Sequence, residues 1–172
     1  MDRDKHRKID PGDIALPPGY AVSVFARGLT TPINIIENDA GEIYIADAGV
    51  TDGSGKVLRW TGDRFQVIAE GFNPPLTGIT YHQGDIYVAH RGYVTAVKPD
   101  GTKVDILAGL PSWGDHNNNR VVFGADGKMY FGQGTATNSG VVGLDNGDWV
   151  RKYPFFHDYP GEDIELIGYN FP

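Results

Sequence analysis

Short apolar runs recur along the chain at a fixed spacing. The segment Gly-Glu-Ile-Tyr at residues 41–44 returns in closely similar form at 84–87 and at 127–130, 43 residues apart each time. A second kind of segment, at 22–29, 65–72 and 104–110, alternates apolar and polar residues and then reaches a glycine followed by a large apolar residue. Alternation with a period of two is typical of β-strands with one buried face, so the pattern predicts strands and not helices.

The repeat predicts up to four strands in each unit, called A to D from the inside outward. Ile36, Ile79 and Val122 take the same place in the three predicted A strands. A further D-like strand, without preceding partners, is predicted at 21–26. The predicted ranges are 34–38, 78–82 and 120–124 for A; 43–46, 86–89 and 129–132 for B; 57–60 and 93–98 for C; and 65–69 and 103–108 for D.

A unit of about 43 residues with four short strands is typical of one blade of a β-propeller. We therefore expect an all-β fold, with residues 1–18 as a polar tail and residues 19–172 as a partial propeller of about three to four blades' worth. A propeller needs at least about four blades to close its ring. The sequence thus predicts a fragment, or one part of an assembly with the missing blades.

Composition narrows the classes of function. The net charge is -7 and no basic stripe is present, which argues against a nucleic-acid partner. The chain has no Cys, which excludes disulfides, thiolate metal sites and cysteine nucleophiles. No apolar run approaches the roughly 20 residues of a membrane span. Residues 1–8 are too polar for the core of a signal peptide.

The predicted topology places the candidate site on one face of the units. In an antiparallel meander the D–A and B–C connections share one face, and here they include the long loops 47–56, 111–119 and 135–141. The loop before the third A strand carries Asp115, His116 and Asn117. A histidine beside a carboxylate can act as a general base near neutral pH. The alternative is that a lone loop histidine is only a solvated side chain.

Three further polar residues are expected on the same face. Asp47, His90 and Gln133 follow the three B strands, 43 residues apart each time, and are candidate substrate-face residues. Their alternative role is to cap strand ends. Asp47 and Asp52 lack the spacing of an EF-hand, so no metal ligand is assigned. His82 falls on the opposite face and is expected to be inert.

One stretch resembles a known family. Residues 109–130 (GLPSWGDHNNNRVVFGADGKMY) are similar to the active-site segment of the soluble glucose/sorbosone dehydrogenases that depend on pyrroloquinoline quinone (PQQ). Residues 14–29 and 155–171 resemble segments of the sorbosone branch. The resemblance implies a six-bladed ring with PQQ across the channel mouth, calcium as a further candidate ligand, a sugar substrate and a periplasmic or secreted location. It also implies His116 as the base and Asp115 as a positioning group.

The resemblance leaves the cofactor site unassigned. In that family the groups that hold the quinone, and most calcium ligands, lie in later blades that this chain lacks. The isolated 172 residues are therefore expected to be inactive. Two alternatives stay open at this point: a non-catalytic propeller module that binds through the same face, and a calcium-dependent lactonase-type propeller. The lactonase would need converging carboxylates, for which Asp47 and Asp115 are the candidates.

Overall fold

The computed structural model describes residues 10–112, 114–135, 137 and 144–152. The elements in chain order are a single 3-10 turn (Pro11–Asp13), β1 (Pro32–Glu37), β2 (Ile43–Asp47), β3 (Gly55–Trp60), β4 (Phe65–Phe72), β5 (Leu76–His82), β6 (Asp85–His90), β7 (Tyr93–Val97), β8 (Lys103–Ala108), β9 (Val122–Phe123), β10 (Met129–Tyr130) and α1 (Leu144–Lys152).

The strands form repeated antiparallel meanders. Strands β1 to β4 form one four-stranded sheet in sequential order, and β5 to β8 form a second. We call these sheets unit 1 and unit 2. Strands β9 and β10 pair antiparallel and begin unit 3. The eight predicted strands of units 1 and 2 and the A and B strands of unit 3 are therefore confirmed in place and order.

The turns that join the first strand of each unit to the second differ in length by one residue. In unit 2 a tight turn at Gln83 and Gly84, both with positive φ, joins β5 to β6. In unit 1 a longer turn closes with a hydrogen bond from Asn38 N to Glu42 O (3.0 Å). This difference shifts the register, so Tyr87 pairs with Thr80, whereas Tyr44 pairs with Ile36. The 43-residue spacing aligned Ile79 with Ile36, but in the structure Thr80 takes the place equivalent to Ile36. This corrects the alignment of the repeats.

Each inner strand carries a β-bulge near its start. The pairing shifts by one residue between Pro32 and Asn34 in β1 and between Leu76 and Gly78 in β5. Unit 3 shows the same shift, because Val122 pairs with Tyr130 while Asn118 bridges to Gln133. The alternation of side chains between the two faces of the sheet therefore changes phase at each bulge.

The inner strands β1, β5 and β9 lie side by side. The backbone N–H of Ile79 donates to Asn34 Oδ1 (2.8 Å), which links β5 to β1. The Thr80 hydroxyl donates to the carbonyl of Val121 at the start of β9. Gly78 permits this closeness, because a Cβ there would lie 2.5 Å from Arg120 Cβ. Successive sheets thus share an inner edge and fan outward, which is the arrangement of a partial β-propeller.

Apolar side chains fill the space between units 1 and 2. Tyr44, Val57 and Phe72 of unit 1 pack in one buried cluster with Ile79 and Val88 of unit 2. Unit 3 packs on the other face of unit 2, where Phe123 stacks on His82 with ring centroids 3.8 Å apart. His82, which was expected to be inert, is therefore a packing residue between units.

Residues 21–26 do not form the predicted strand. They have no regular secondary structure, and within residues 10–112 no strand pairs with them. A strand is defined by its ladder of hydrogen bonds, so an alternating sequence without a neighbour stays irregular. Residues 10–18 of the predicted tail are largely exposed and contain the 3-10 turn, which Asp10 caps through Gly12 N (3.0 Å).

Beyond β10 the structure describes residues 131–135, 137 and 144–152. Within 144–152 the chain forms the helix α1. The segment 155–171 and His157 lie outside the described residues. No helix in the described parts of the chain has both the length and the apolar character to cross a membrane.

Candidate functional site

The loop that carries His116 is held against the second strand of unit 3. Gly134 N donates to Asn117 O (3.2 Å), and Asn119 N donates to Gly132 O (2.8 Å). These bonds continue the β9–β10 ladder past the bulge, up to the residues next to His116. His116 therefore lies directly before the inner strand of unit 3, beside the residues that follow β10.

Asn118 fixes this loop to unit 2. Its side chain is fully buried, and Oδ1 accepts hydrogen bonds from Gly92 N (3.1 Å) and from the Ser112 hydroxyl. Its Nδ2 donates to the Tyr93 carbonyl (2.9 Å). The Asn118 carbonyl accepts from the Thr77 hydroxyl (2.6 Å). The side-chain amide of Asn118 thus joins the loop to the start of β7, and its backbone carbonyl adds a contact with β5.

Sequence reasoning missed the role of Asn118. Its bridge to Gln133 makes it the equivalent of Leu76, which pairs with His90 in unit 2. Leu76 is fully buried. The 43-residue repeat aligns Asn118 with Pro75, and the unit 1 equivalent, Pro32, is exposed, so the sequence carried no signal for this buried contact.

The His116 ring is exposed and its tautomer is set by one contact. Nδ1 lies 3.1 Å from the Thr135 carbonyl oxygen. A carbonyl only accepts hydrogen bonds, so Nδ1 carries the proton and Nε2 keeps its lone pair. Gly134 allows the close approach, because a Cβ there would lie 2.5 Å from His116 Cβ. The arrangement leaves Nε2 able to accept a proton from a hydroxyl.

The neighbours of His116 differ in exposure. Asp115 is exposed. Asn117 is partly buried, and its Oδ1 atom is enclosed without a hydrogen-bond partner among the described residues. The structure therefore brings Asp115, His116 and Asn117 to one loop, with Asn117 turned further inward than the other two.

Asp47 is engaged by its own unit. Its carboxylate accepts hydrogen bonds from Thr30 N (3.1 Å), from Thr31 N (3.1 Å) and from the Thr31 hydroxyl (2.8 Å). Burial alone would raise the pKa of Asp47, but the hydrogen bonds from Thr31, Thr30 and Gly49 outweigh it and hold the pKa below its usual value. The carboxylate ties the end of β2 to the segment that leads into β1.

His90 occupies the same place in unit 2. Its Nδ1 accepts from Asn73 N (3.2 Å), and Nε2 lies 2.8 Å from the Thr95 hydroxyl, which donates to Asp105 Oδ1 (2.7 Å). The accepting Nδ1 requires the proton on Nε2, so the chain of donors is consistent with a neutral ring. Burial lowers the pKa of His90 to about 4, although the Asp105 carboxylate opposes this shift.

Gln133 completes the series in unit 3. Its Nε2 donates to the carbonyls of Pro111 (3.0 Å) and Gly134 (3.1 Å). Asp47, His90 and Gln133 therefore each tie the end of a second strand to the connection that precedes the inner strand of the same unit. Their polar atoms bond to the protein itself, in the manner of the strand-end caps that the sequence left as an alternative.

The described residues contain no group of three or more His, Asp or Glu side chains placed to hold a metal ion. Asp52 is the carboxylate nearest to Asp47 in the loop, and it forms an ion pair with Lys56 (Oδ2 to Nζ, 2.5 Å). Asp47 itself is already bonded to four protein donors. The two carboxylates of this loop are thus committed to internal contacts.

Comparison with known proteins gives structural likenesses only. No protein-family model matches the chain, and no curated protein matches it. A protein described as a candidate gluconolactonase is similar over 62% of this chain and 37% of its own, with 17% identity and a TM-score of 0.47. A protein of unknown function from Bacteroides caccae is similar over 72% of this chain and 42% of its own, with 16% identity and a TM-score of 0.43.

A catalytically inactive variant of virginiamycin B lyase from Staphylococcus aureus, crystallised with quinupristin, is similar over 60% of this chain and 34% of its own, with 14% identity and a TM-score of 0.44. The chain thus spans between 34% and 42% of the length of these three proteins. The propeller architecture of the chain itself follows from the meanders and the shared inner edge described above.

Replacing Asn118 by Ala is expected to destabilise the fold by about 2–4 kcal/mol, because buried donors and acceptors lose their partners. Urea unfolding followed by circular dichroism measures the change. Asn119→Ala is the matched control, because Asn119 is exposed, and it should change the unfolding free energy by no more than about 0.5 kcal/mol. Equal effects of the two substitutions would contradict the role of Asn118.

His90 is expected to make stability depend on pH. Its pKa of about 4 in the folded state lies below the value of 6.5 expected when unfolded, so the unfolded chain binds more protons between these values. The contribution of His90 is complete above pH 6.5 and is lost as the pH falls toward 4. The limiting slope is about 1.4 kcal/mol per pH unit.

The measurement is the unfolding free energy of the wild type minus that of His90→Gln across this pH range. The difference should shrink as the pH falls. A difference that stays constant from pH 7 to pH 4 would mean that His90 does not titrate on unfolding.

Proposed function

We propose that the propeller to which these residues belong is a quinone-dependent dehydrogenase of sugars or related aldoses, with His116 as the general base. The observation that carries the proposal is the exposed His116 ring, whose Nδ1 is bound to the Thr135 carbonyl (3.1 Å) and whose Nε2 is free to accept a proton. The resemblance of residues 109–130 to the active-site segment of the glucose/sorbosone dehydrogenases supports the same assignment.

The chemistry assigned to this chain is proton transfer. Nε2 of His116 takes the proton of a sugar hydroxyl, and the carbon that bears the oxygen then releases hydride more easily. The imidazolium that forms keeps its Nδ1–H on the Thr135 carbonyl, so the ring does not rotate during the transfer. Asp115, adjacent in the sequence, is the proposed group that orients the sugar or the ring.

A bound PQQ would supply the hydride acceptor. Arg120 is the only Lys or Arg between 104 and 127, whereas an acidic quinone needs several cations around it. The residues of this loop therefore fit the base but not the whole cofactor site, and we assign no quinone or calcium contact to them. The family resemblance also supports a periplasmic or secreted location.

Two substitutions test the base. In the propeller that contains this loop, His116→Ala should lower kcat for quinone-dependent sugar oxidation by roughly 10²- to 10⁴-fold while sugar binding is retained. His82→Gln is the matched control, since His82 packs against Phe123 on the opposite face, and its turnover should stay within about twofold of the wild type.

Unchanged turnover in His116→Ala would overturn the proposal and favour a binding module. Lactone hydrolysis that needs no quinone and is abolished by a chelator would instead favour the lactonase-type propeller. The isolated 172 residues should show no quinone-dependent sugar oxidation, because the loop lacks the cations for the cofactor. Measurable oxidation by this chain alone would contradict that part of the proposal.

A further inference from the structure

A polar cleft of about 350 Å³ opens at the junction of units 1 and 2. One wall is the end of β4 with Phe72 and Asn73, and the other is the outer part of unit 2, on β7 and β8. The volume lies in the range of roughly 300–1,000 Å³ that is typical of small-molecule pockets. The residues that line the cleft lie between positions 71 and 105, within the two complete four-stranded sheets.

A chain of hydrogen bonds crosses unit 2 at this cleft and fixes a carboxylate. The His90 ring donates from Nε2 to the Thr95 hydroxyl (2.8 Å), and this hydroxyl donates to Asp105 Oδ1 (2.7 Å). His90 and Thr95 are only 6% and 2% exposed, whereas Asp105 lies at the solvent-exposed end of the chain. A carboxylate has about four acceptor positions, so Asp105 can accept further hydrogen bonds from a ligand.

An ammonium group is fixed on the same side of the cleft. Lys103 Nζ donates to the Glu70 carbonyl (2.8 Å) and lies 5.1 Å from the centroid of the Phe72 ring. An ammonium group has three donors, so two of them stay available. Lys103 and Asp105 are two residues apart on one face of β8, yet among the described residues no ion pair joins them. The cleft therefore presents two opposite charges that are held apart by other contacts.

The polar groups of the cleft are specific to unit 2, because their equivalents in unit 1 are all apolar. Strand pairing aligns Thr95, Lys103 and Asp105 with Leu58, Phe65 and Val67. The stacking of four-stranded sheets thus does not require polar groups at these places. A buried hydroxyl such as that of Thr95 also costs free energy unless it is hydrogen-bonded. The fold alone therefore gives no reason for the charged pair.

We propose that this cleft binds a small zwitterion of the α-amino acid class, with its ammonium group on Asp105 and its carboxylate on Lys103. Residues two apart on a strand have Cα atoms about 7 Å apart, which leaves room for a ligand that carries both charges on neighbouring atoms. Both ends of the ligand then form charge-assisted hydrogen bonds. The partly exposed Tyr93 ring, stacked on His90 with centroids 5.2 Å apart, supplies apolar surface for the ligand's side chain.

Three related compounds test the two-point recognition by nuclear magnetic resonance titration of the 172-residue chain. L-Phenylalanine should bind saturably and shift the amide resonances of His90, Thr95 and Asp105. N-Acetyl-L-phenylalanine lacks the ammonium group and L-phenylalaninamide lacks the carboxylate. Each should bind with a dissociation constant at least about threefold higher, since a solvent-exposed charge pair contributes modestly.

Two substitutions assign the two ends of the ligand. Asp105→Asn keeps an acceptor for the Thr95 hydroxyl, and it should weaken binding of L-phenylalanine by about threefold or more while binding of the N-acetyl compound is unchanged. Lys103→Met should weaken L-phenylalanine to a similar extent and leave the amide compound unchanged. Asp100→Asn is the matched control, because Asp100 is exposed in the turn between β7 and β8, and it should leave all three dissociation constants unchanged.

Absence of saturable binding of L-phenylalanine would overturn the proposal, and so would equal affinities for the three compounds. Binding of D-glucose that Asp105→Asn weakens, in place of L-phenylalanine, would make the cleft a polyol site and would also overturn it. Circular dichroism of each variant establishes that it is folded. The readout is binding in the cleft and not turnover, so these outcomes are independent of the function proposed for His116.

Discussion

Each sheet packs one of its faces on the opposite face of the next sheet, and this contact determines the rest of the structure. Between units 1 and 2 it joins the face with Tyr44 and Val57 to the face with Ile79 and Val88. Ile79 of β5 is fully buried in this contact, and its backbone N–H donates to Asn34 of β1. A single four-stranded meander has two apolar faces and cannot bury either alone. Stacking the sheets in this way buries one face of each neighbour and leaves the inner strands along a common edge. The loops before these strands then open at that edge, and the position of His116 follows from this geometry.

Polar contacts decide how the loops sit once the sheets are stacked. Each unit uses a side chain at the end of its second strand to hold the connection before its inner strand, and the three residue types differ: a carboxylate, an imidazole and an amide. Asn118 adds a contact between units 2 and 3 that the apolar faces cannot provide. Because these groups are satisfied by the protein itself, the exposed lone pair of His116 differs from them in being available to a ligand.

The sequence predicted the strands because their apolar positions repeat every 43 residues. It did not predict the register of unit 2, since the length of the turn at Gln83 and Gly84 depends on backbone angles and not on apolar pattern. Residues 21–26 have the pattern of a strand but pair with no strand among the described residues, and pairing is a property of two segments. The partners of Asp47 and His90 in the connections before the inner strands lie 16 or 17 residues away, so the local sequence could not reveal these contacts.

The bulge on every inner strand has a consequence for how such a chain can vary. On its loop side lies one buried residue that anchors the loop, Leu76 in unit 2 and Asn118 in unit 3. Because the bulge takes up an extra backbone residue, the alternation of side chains in the loop is independent of the alternation in the strand. Replacements, insertions or deletions ahead of these anchoring residues can then change which side chains the loop presents, while the buried positions of the sheet keep their register. The side chains that the loop presents and the packing of the sheet can thereby vary independently.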